Sequence, residues 1–183
     1  MATPIRLLMC IFAVLTLSAC GGVVPQVGYS SGLKLSPAPS YTFLARDTLR
    51  GYNPLGNDLT NNRIELAIEK TFSARGYPYQ SQPSEADLLV SYFVLGVDKQ
   101  YLVNYNRGVR PCVQCPMSET SVSAVQKYQR GTLIIDLLDP QTQRSVWRGS
   151  LNKMIKADQS PTERNKSIRE TTLAILAQYP PSP

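Results

Sequence analysis

Between Ala86 and Tyr101, apolar side chains fall on both parities of the chain: Leu88, Leu89, Val90, Tyr92, Phe93, Val94, Leu95 and Val97. Successive side chains of a strand point to opposite faces, so a strand with one face in water alternates apolar with polar residues. This stretch does not alternate. It predicts a strand covered on both faces, and therefore one central in a sheet rather than at its edge.

The elements around it follow from shorter signals. Tyr41-Thr42-Phe43-Leu44-Ala45 alternates, with Tyr41, Phe43 and Ala45 on one face, as a strand does. A turn-rich stretch from Gly51 to Asn57 leads into a helix whose stripe is Ile64, Ala67, Ile68, Thr71 and Phe72, with Gly76 where a stop is expected. Gly131 to Leu138 and Arg144 to about Ile155 read as two strands, and the tight connection Asp139-Pro140-Gln141-Thr142-Gln143 makes them a hairpin. Ser160-Pro161-Thr162-Glu163 places a capping Ser, a Pro at the first helical position and a Glu three residues on, which is a capping box. Ile168, Thr172, Ile175 and Leu176 form the buried stripe of that last helix, and Pro180-Pro181 ends it. The predicted order is β-α-β-β-β-α without a repeat. The expected fold is a single α+β domain over residues 41–181, a mostly antiparallel sheet of about four strands with two helices packed on it.

Ahead of the domain, Arg6, an apolar run from Leu7 to Leu17, and then Leu17-Ser18-Ala19-Cys20-Gly21-Gly22 form an export signal. The run is too short to span a bilayer. A cysteine directly after the small-residue site resembles a lipobox, so residues 1–19 are expected to be a lipoprotein signal peptide and Cys20 the lipidated first residue. Each buried methylene adds about 0.8 kcal/mol, so several acyl chains on one residue hold effectively permanently. Gly21, in place of the Asp that resembles an inner-membrane retention signal, favours the outer membrane, with the domain in the periplasm. Residues 20–40 mix Gly, Ser and Pro with few charges and no period, and read as a flexible tether.

Composition closes several functional classes. The chain has no histidine among its 183 residues, which removes Ser-His-Asp and Cys-His nucleophile pairs, imidazole zinc sites and the usual neutral-pH proton shuttle. Its 19 Lys and Arg against 13 Asp and Glu give a formal net charge of +6. The cations are scattered rather than clustered among stacking aromatics, so the balance reads as a solvated surface and not as a nucleic-acid interface.

Four segments carry a family resemblance. Glu85-Ala86-Asp87-Leu88-Leu89-Val90-Ser91-Tyr92, Gly131-Thr132-Leu133-Ile134-Ile135-Asp136, Val146-Trp147-Arg148-Gly149 and Leu176-Ala177-Gln178-Tyr179-Pro180-Pro181, in this order behind a lipobox, resemble the bacterial lipoprotein family called domain of unknown function 4136. The resemblance covers about residues 41–181. It implies a lipid-anchored α+β envelope domain with no assigned activity, ligand or catalytic residue, so no functional residue is carried over. The chain departs from the family pattern at 104–128, where a Gly- and Tyr-rich loop gives way to a cysteine pair.

Within that departure, Cys112-Val113-Gln114-Cys115 is the one motif with chemistry in it. In an oxidising periplasm a C-x-x-C is a local disulfide, a redox pair or half of a thiolate metal site. The surrounding loop is rich in Arg, Pro and Ser, with no βαβ unit and no further His or free Cys to complete a four-ligand set, so the disulfide is preferred and no metal is expected. Asp136, inside an apolar strand, is a candidate buried acid, but it shares its parity with Thr132 and not with Leu133, Ile135 and Leu137, so the expected place is the solvent face or a pair with Arg144 or Arg148 across the hairpin. Trp147 is expected in the core or at an edge. Tyr101, Tyr105 and Tyr128 are candidates for a recognition loop, since aromatic loops on a rigid scaffold make binding sites, and equally for half-buried packing. The functional expectation is a non-enzymatic accessory or interaction domain, without cofactor, held to the membrane through Cys20 and meeting an envelope protein. The alternative is a small-ligand or metal-binding module built on the loop around Cys112 and Cys115.

Overall fold

A computed structural model describes residues 24–30, 38–45, 58–95, 100–115, 131–153 and 159–180. Residues 1–19, expected above to be a signal peptide, and Cys20 and Tyr128 lie outside the described residues. The elements run β1 (Gln26–Tyr29), β2 (Tyr41–Phe43), α1 (Asp58–Ala74), β3 (Leu88–Val94), α2 (Gln100–Val109), β4 (Thr132–Leu138), β5 (Ser145–Asn152) and α3 (Pro161–Leu176). Among them no helix is long and apolar enough to cross a membrane.

The sheet has five strands in the order β1-β5-β4-β3-β2. β3, β4, β5 and β1 pair antiparallel in turn, while β2 runs parallel to β3. A parallel pair needs a crossover, and α1 lies between β2 and β3 in the chain to supply it. β4 and β5 form the expected hairpin. Asp139 Oδ1 accepts from the amides of Gln141 and Thr142 at 2.8 Å, and Gln143 takes the left-handed conformation that the turn requires (φ 53°). The register slips between Leu137 and Leu138, so Leu138 faces Ser145 while Leu137 faces Trp147.

Each face of the sheet has its own core. On one, Leu88, Val90, Tyr92, Ile135, Leu137 and Trp147 pack with Ile64, Ile68 and Phe72 of α1 and Ile168, Ile175 and Leu176 of α3. On the other, Leu89, Phe93, Ile134 and Leu138 pack with Leu102, Val103, Tyr105 and Val109 of α2. β3 is buried along its whole length, as its two-parity pattern predicts. The α3 start is the predicted capping box, with the Ser160 side chain and the Glu163 side chain each holding the other residue's amide. Gly149 is where α3 comes down on the sheet. A Cβ there would stand 2.5 Å from both Ile175 Cγ2 and Trp147 Cη2.

Four expectations are corrected. The sheet has five strands, because β1 lies within the stretch read as a tether: Gln26–Tyr29 pairs with Trp147–Ser150 of β5 and so belongs to the sheet; it is mixed because β2 runs parallel to β3. Four residues are too few for period to reveal a strand, and Pro, Gly and Ser around them dominate the composition. The helices are three, because α2 was hidden in the apolar run that continues from β3. That strand ends at Val94, not at Tyr101, and Leu102, Tyr105 and Val109 then recur at helical spacing. Tyr101 and Tyr105 are accordingly helical rather than loop residues. Finally, Asp136 has no solvent face, because α2 covers that side of the sheet.

Candidate functional site

One row across the sheet is polar where its surroundings are apolar. Ser91 of β3, Asp136 of β4 and Arg148 of β5 are successive cross-strand partners, all on the face that α2 covers. Ser91 is 1% exposed, and Asp136 and Arg148 are wholly buried. Burying two charges costs several kcal/mol per ion unless geometry and hydrogen bonds repay it, and here the repayment is complete. Asp136 Oδ1 accepts from Arg148 Nε at 2.8 Å and from Ser145 Oγ at 2.6 Å. Asp136 Oδ2 accepts from Arg148 Nη2 and from the Tyr105 hydroxyl, both at 2.8 Å. A carboxylate offers about four lone-pair sites, and these donors take all of them.

α2 supplies the other half of the network. Tyr105 and Asn106 are adjacent on it, and Arg148 Nη1 donates to Asn106 Oδ1 at 2.9 Å. The Tyr105 hydroxyl, with its proton turned to Asp136, stands 3.1 Å from Ser91 Oγ. The Tyr105 ring stacks on Phe93 with centroids 4.9 Å apart, and the Arg148 guanidinium lies 5.7 Å from its centre, within reach of a cation–π contact. Burial first, and the Asp136 charge second, push the Tyr105 phenol well above its usual pKa of 10, with Arg148 opposing more weakly. At neutral pH the phenol is therefore a fixed donor.

This saturated network sits beneath a surface groove. Just past the end of α2, Cys112 and Cys115 are joined in a disulfide, with Val113 at its tip 89% exposed. The disulfide loop, Tyr29 of β1, and Arg144, Ser145 and Val146 at the start of β5 line a groove of about 390 Å³. Ser145 belongs to both layers, lining the groove and donating to Asp136. Both sulfurs are engaged in the disulfide, so neither is a thiolate for a metal or a nucleophile. Among the described residues no three metal-ligating side chains come together.

Of the candidate residues, the structure brings Cys112 and Cys115 to the groove and Tyr105 to the buried network. Tyr101 lies in the first turn of α2. Of the two cations weighed as partners for Asp136, Arg148 makes the pair, while Arg144 is exposed at the groove. Trp147 is fully buried in the core against α3. Ser91, Asn106 and Ser145 went unrecognised. Ser91 had a signal, a lone hydroxyl inside an all-apolar strand, whereas Asn106 could be found only once α2 was seen as a helix.

The architecture is that of an α+β domain with a two-faced sheet and a closed internal charge pair. Over residues 25–181 the sequence matches the family described as Domain of unknown function (DUF4136), and the chain belongs to that family. Among solved structures, a PDZ domain protein from Parabacteroides distasonis is similar at a TM-score of 0.53 and 16% identity, over 88% of this chain and 36% of that one. This chain thus spans about a third of that protein's length. A DUF4136 family protein from Bacteroides thetaiotaomicron is similar at a TM-score of 0.50 and 11% identity, over 81% of this chain and 93% of that one. A PelC dodecamer from Paraburkholderia phytofirmans gives a TM-score of 0.46 at 10% identity, over 82% and 95% of the two chains. No curated protein matches the sequence.

Proposed function

We propose that this protein is a non-enzymatic interaction domain of the bacterial envelope, anchored in the outer membrane by lipid on Cys20 and facing the periplasm. The observation that carries the non-enzymatic reading is the closed valence of the one buried charge pair described. A catalytic acid or base needs a lone pair or proton within reach of a substrate, whereas every acceptor site of Asp136 is taken by Arg148, Tyr105 and Ser145 beneath the surface. The anchor reading rests on Leu17-Ser18-Ala19-Cys20. Family membership adds an α+β domain to it and no activity.

The test is fractionation and in-place crosslinking of the full chain in a two-membrane bacterium, beside Cys20→Ser. The lipidated protein is expected in the outer-membrane fraction, with a mass that fits an acylated chain beginning at Cys20, and joined to an envelope protein that Cys20→Ser does not capture. Unchanged membrane partition of Cys20→Ser overturns the anchor. Turnover by the purified protein that one carboxylate substitution abolishes overturns the non-enzymatic reading.

A second reading is favoured by the groove at Cys112 and Cys115, a concave site with apolar Val113 and Tyr29 beside cationic Arg144. It would hold a small ligand there without thiolate chemistry. Intact mass showing free thiols and a bound metal in periplasmic material would instead restore the metal version.

A further inference from the structure

On the solvent side of the helical layer, α1 and α3 leave a second groove between them, of about 590 Å³. From α1, Leu59, Arg63, Leu66 and Lys70 line it, and from α3, Lys166 and Arg169. Spacings of three, four and seven put each set on one stripe of its helix. Leu59 is 57% exposed and Leu66 50%, so two leucines one heptad apart stand open to water inside a rim of four cations. Single exposed leucines are ordinary, but an apolar stripe in a charged rim marks an interaction site.

No carboxylate lines this groove. Neither Asp58, in the first turn of α1, nor any of the four glutamates of these two helices lines it. Glu65 accepts the Tyr92 hydroxyl at 2.6 Å, on the sheet side. Glu69 lines the neighbouring pocket with Tyr41 and Tyr77. Glu163 is held in the capping box, and Glu170 accepts from Lys153 at 2.8 Å while standing 3.9 Å from Lys166. The lining of the groove is thus positive, with Lys166 also paired to Glu170 one turn on.

We propose that this groove docks an acidic amphipathic helix of a partner protein, with Leu59 and Leu66 meeting its apolar stripe and Arg63, Lys70, Lys166 and Arg169 its carboxylates. The mode is helix-in-groove recognition, in which apolar anchors supply affinity and complementary charge supplies orientation and association rate. Concavity favours a helix over a flat lipid surface. The chain itself offers no such segment: each stretch outside the described residues carries at most one acidic residue, and α2 carries none. The proposal rests on the reading of this domain as a binding module, but not on its lipid anchor.

The test measures binding of two synthetic peptides to the detergent-solubilised full chain by fluorescence anisotropy. Each peptide is about 18 residues long, enough for several helical turns. Both contain the same Leu and Glu residues, one with Leu at helical spacing and one scrambled. The patterned peptide is expected to bind about 10-fold more tightly or better, and to weaken as salt rises through the range that screens surface charge. Arg63→Glu/Arg169→Glu, one reversal on each helix, is expected to weaken binding by about 10-fold or more, and Leu66→Gln by about 5-fold. All three positions are off the two cores, and unchanged thermal melts establish that the variants fold. Equal binding of the two peptides, or binding indifferent to the double reversal, overturns the proposal. So does capture by phosphatidylglycerol vesicles with no peptide binding, which would make the groove a lipid contact, or a dimer that Leu66→Gln dissolves. Any of these leaves the fractionation result for the anchored domain standing.

Discussion

Arg148→Met tests the central claim about the buried row, that Asp136 is tolerable only because Arg148 answers it. The substitution keeps an unbranched stem of similar length and deletes the guanidinium. With it go two charge-assisted bonds at 2.8 Å to Asp136 and one at 2.9 Å to Asn106, in a site with no solvent access. Breaking a buried pair by removing one partner costs about 3–5 kcal/mol, because the remaining charge is stranded. A domain of this size is stable by roughly 5–15 kcal/mol, so about a fifth of the total or more is at stake. At about 2–4 °C per kcal/mol, the melting temperature falls by roughly 6–20 °C. The companion double variant, Asp136→Leu/Arg148→Met, removes both charges. Its hydroxyl neighbours have second partners, since Tyr105 still reaches Ser91 and Ser145 still reaches the Trp147 carbonyl at 3.1 Å. It is therefore expected to lose less than the sum of the two single variants, with a coupling above about 2 kcal/mol. Urea unfolding followed by far-UV CD measures all four corners of the cycle. A cost below about 1 kcal/mol for Arg148→Met, or an additive cycle, refutes the reasoning.

Three further expectations follow from other parts of the fold. Gly149→Ala places a methyl 2.5 Å from Ile175 Cγ2 and from the Trp147 ring, and is expected to destabilise by about 1–3 kcal/mol with a change in Trp147 fluorescence; an unchanged melt would mean that α3 does not seat on β5 as described. Tyr105 is raised above its ordinary value by burial, so its contribution to stability is full below pH 10 and is lost as pH rises toward its folded value, because only the unfolded chain releases the proton in that window. The expected slope is up to about 1.4 kcal/mol per pH unit for this one group, and in an alkaline unfolding series Tyr105→Phe should lower the total slope by that share while the parts from Tyr41 and Tyr179, also raised by burial, remain. Reduction of the Cys112–Cys115 disulfide opens only a three-residue separation, so it is expected to cost about 2 kcal/mol at most and to leave the far-UV spectrum intact; global unfolding by a mild reductant would contradict that.

Local signals carried much of the fold. The two-parity run made β3 central, Asp139-Pro140-Gln141-Thr142-Gln143 made the β4–β5 hairpin, and Ser160 with Glu163 started α3, because side-chain period, turn chemistry and capping are settled within a few neighbouring residues. The candidate site was legible in fragments: the C-x-x-C pair by its spacing, and Asp136 with Arg148 as one of two cross-hairpin options. Tyr105 was visible only as an aromatic of undecided role, since α2 merges in sequence with the apolar run before it.

What the amino-acid sequence determined by itself is the type and order of the long elements other than α2, and the side of each strand that a residue occupies. What the tertiary structure alone decided is which elements become neighbours. Gln26–Tyr29 is a strand because β5 offers it an edge, β2 runs parallel to β3 because α1 carries the chain back, and Asp136 is buried because α2, and not water, covers that face. Parity assigns a side chain to a face but is silent on what packs there. That depends on pairings between residues far apart in the chain, whose cost is loop closure and whose reward is burial.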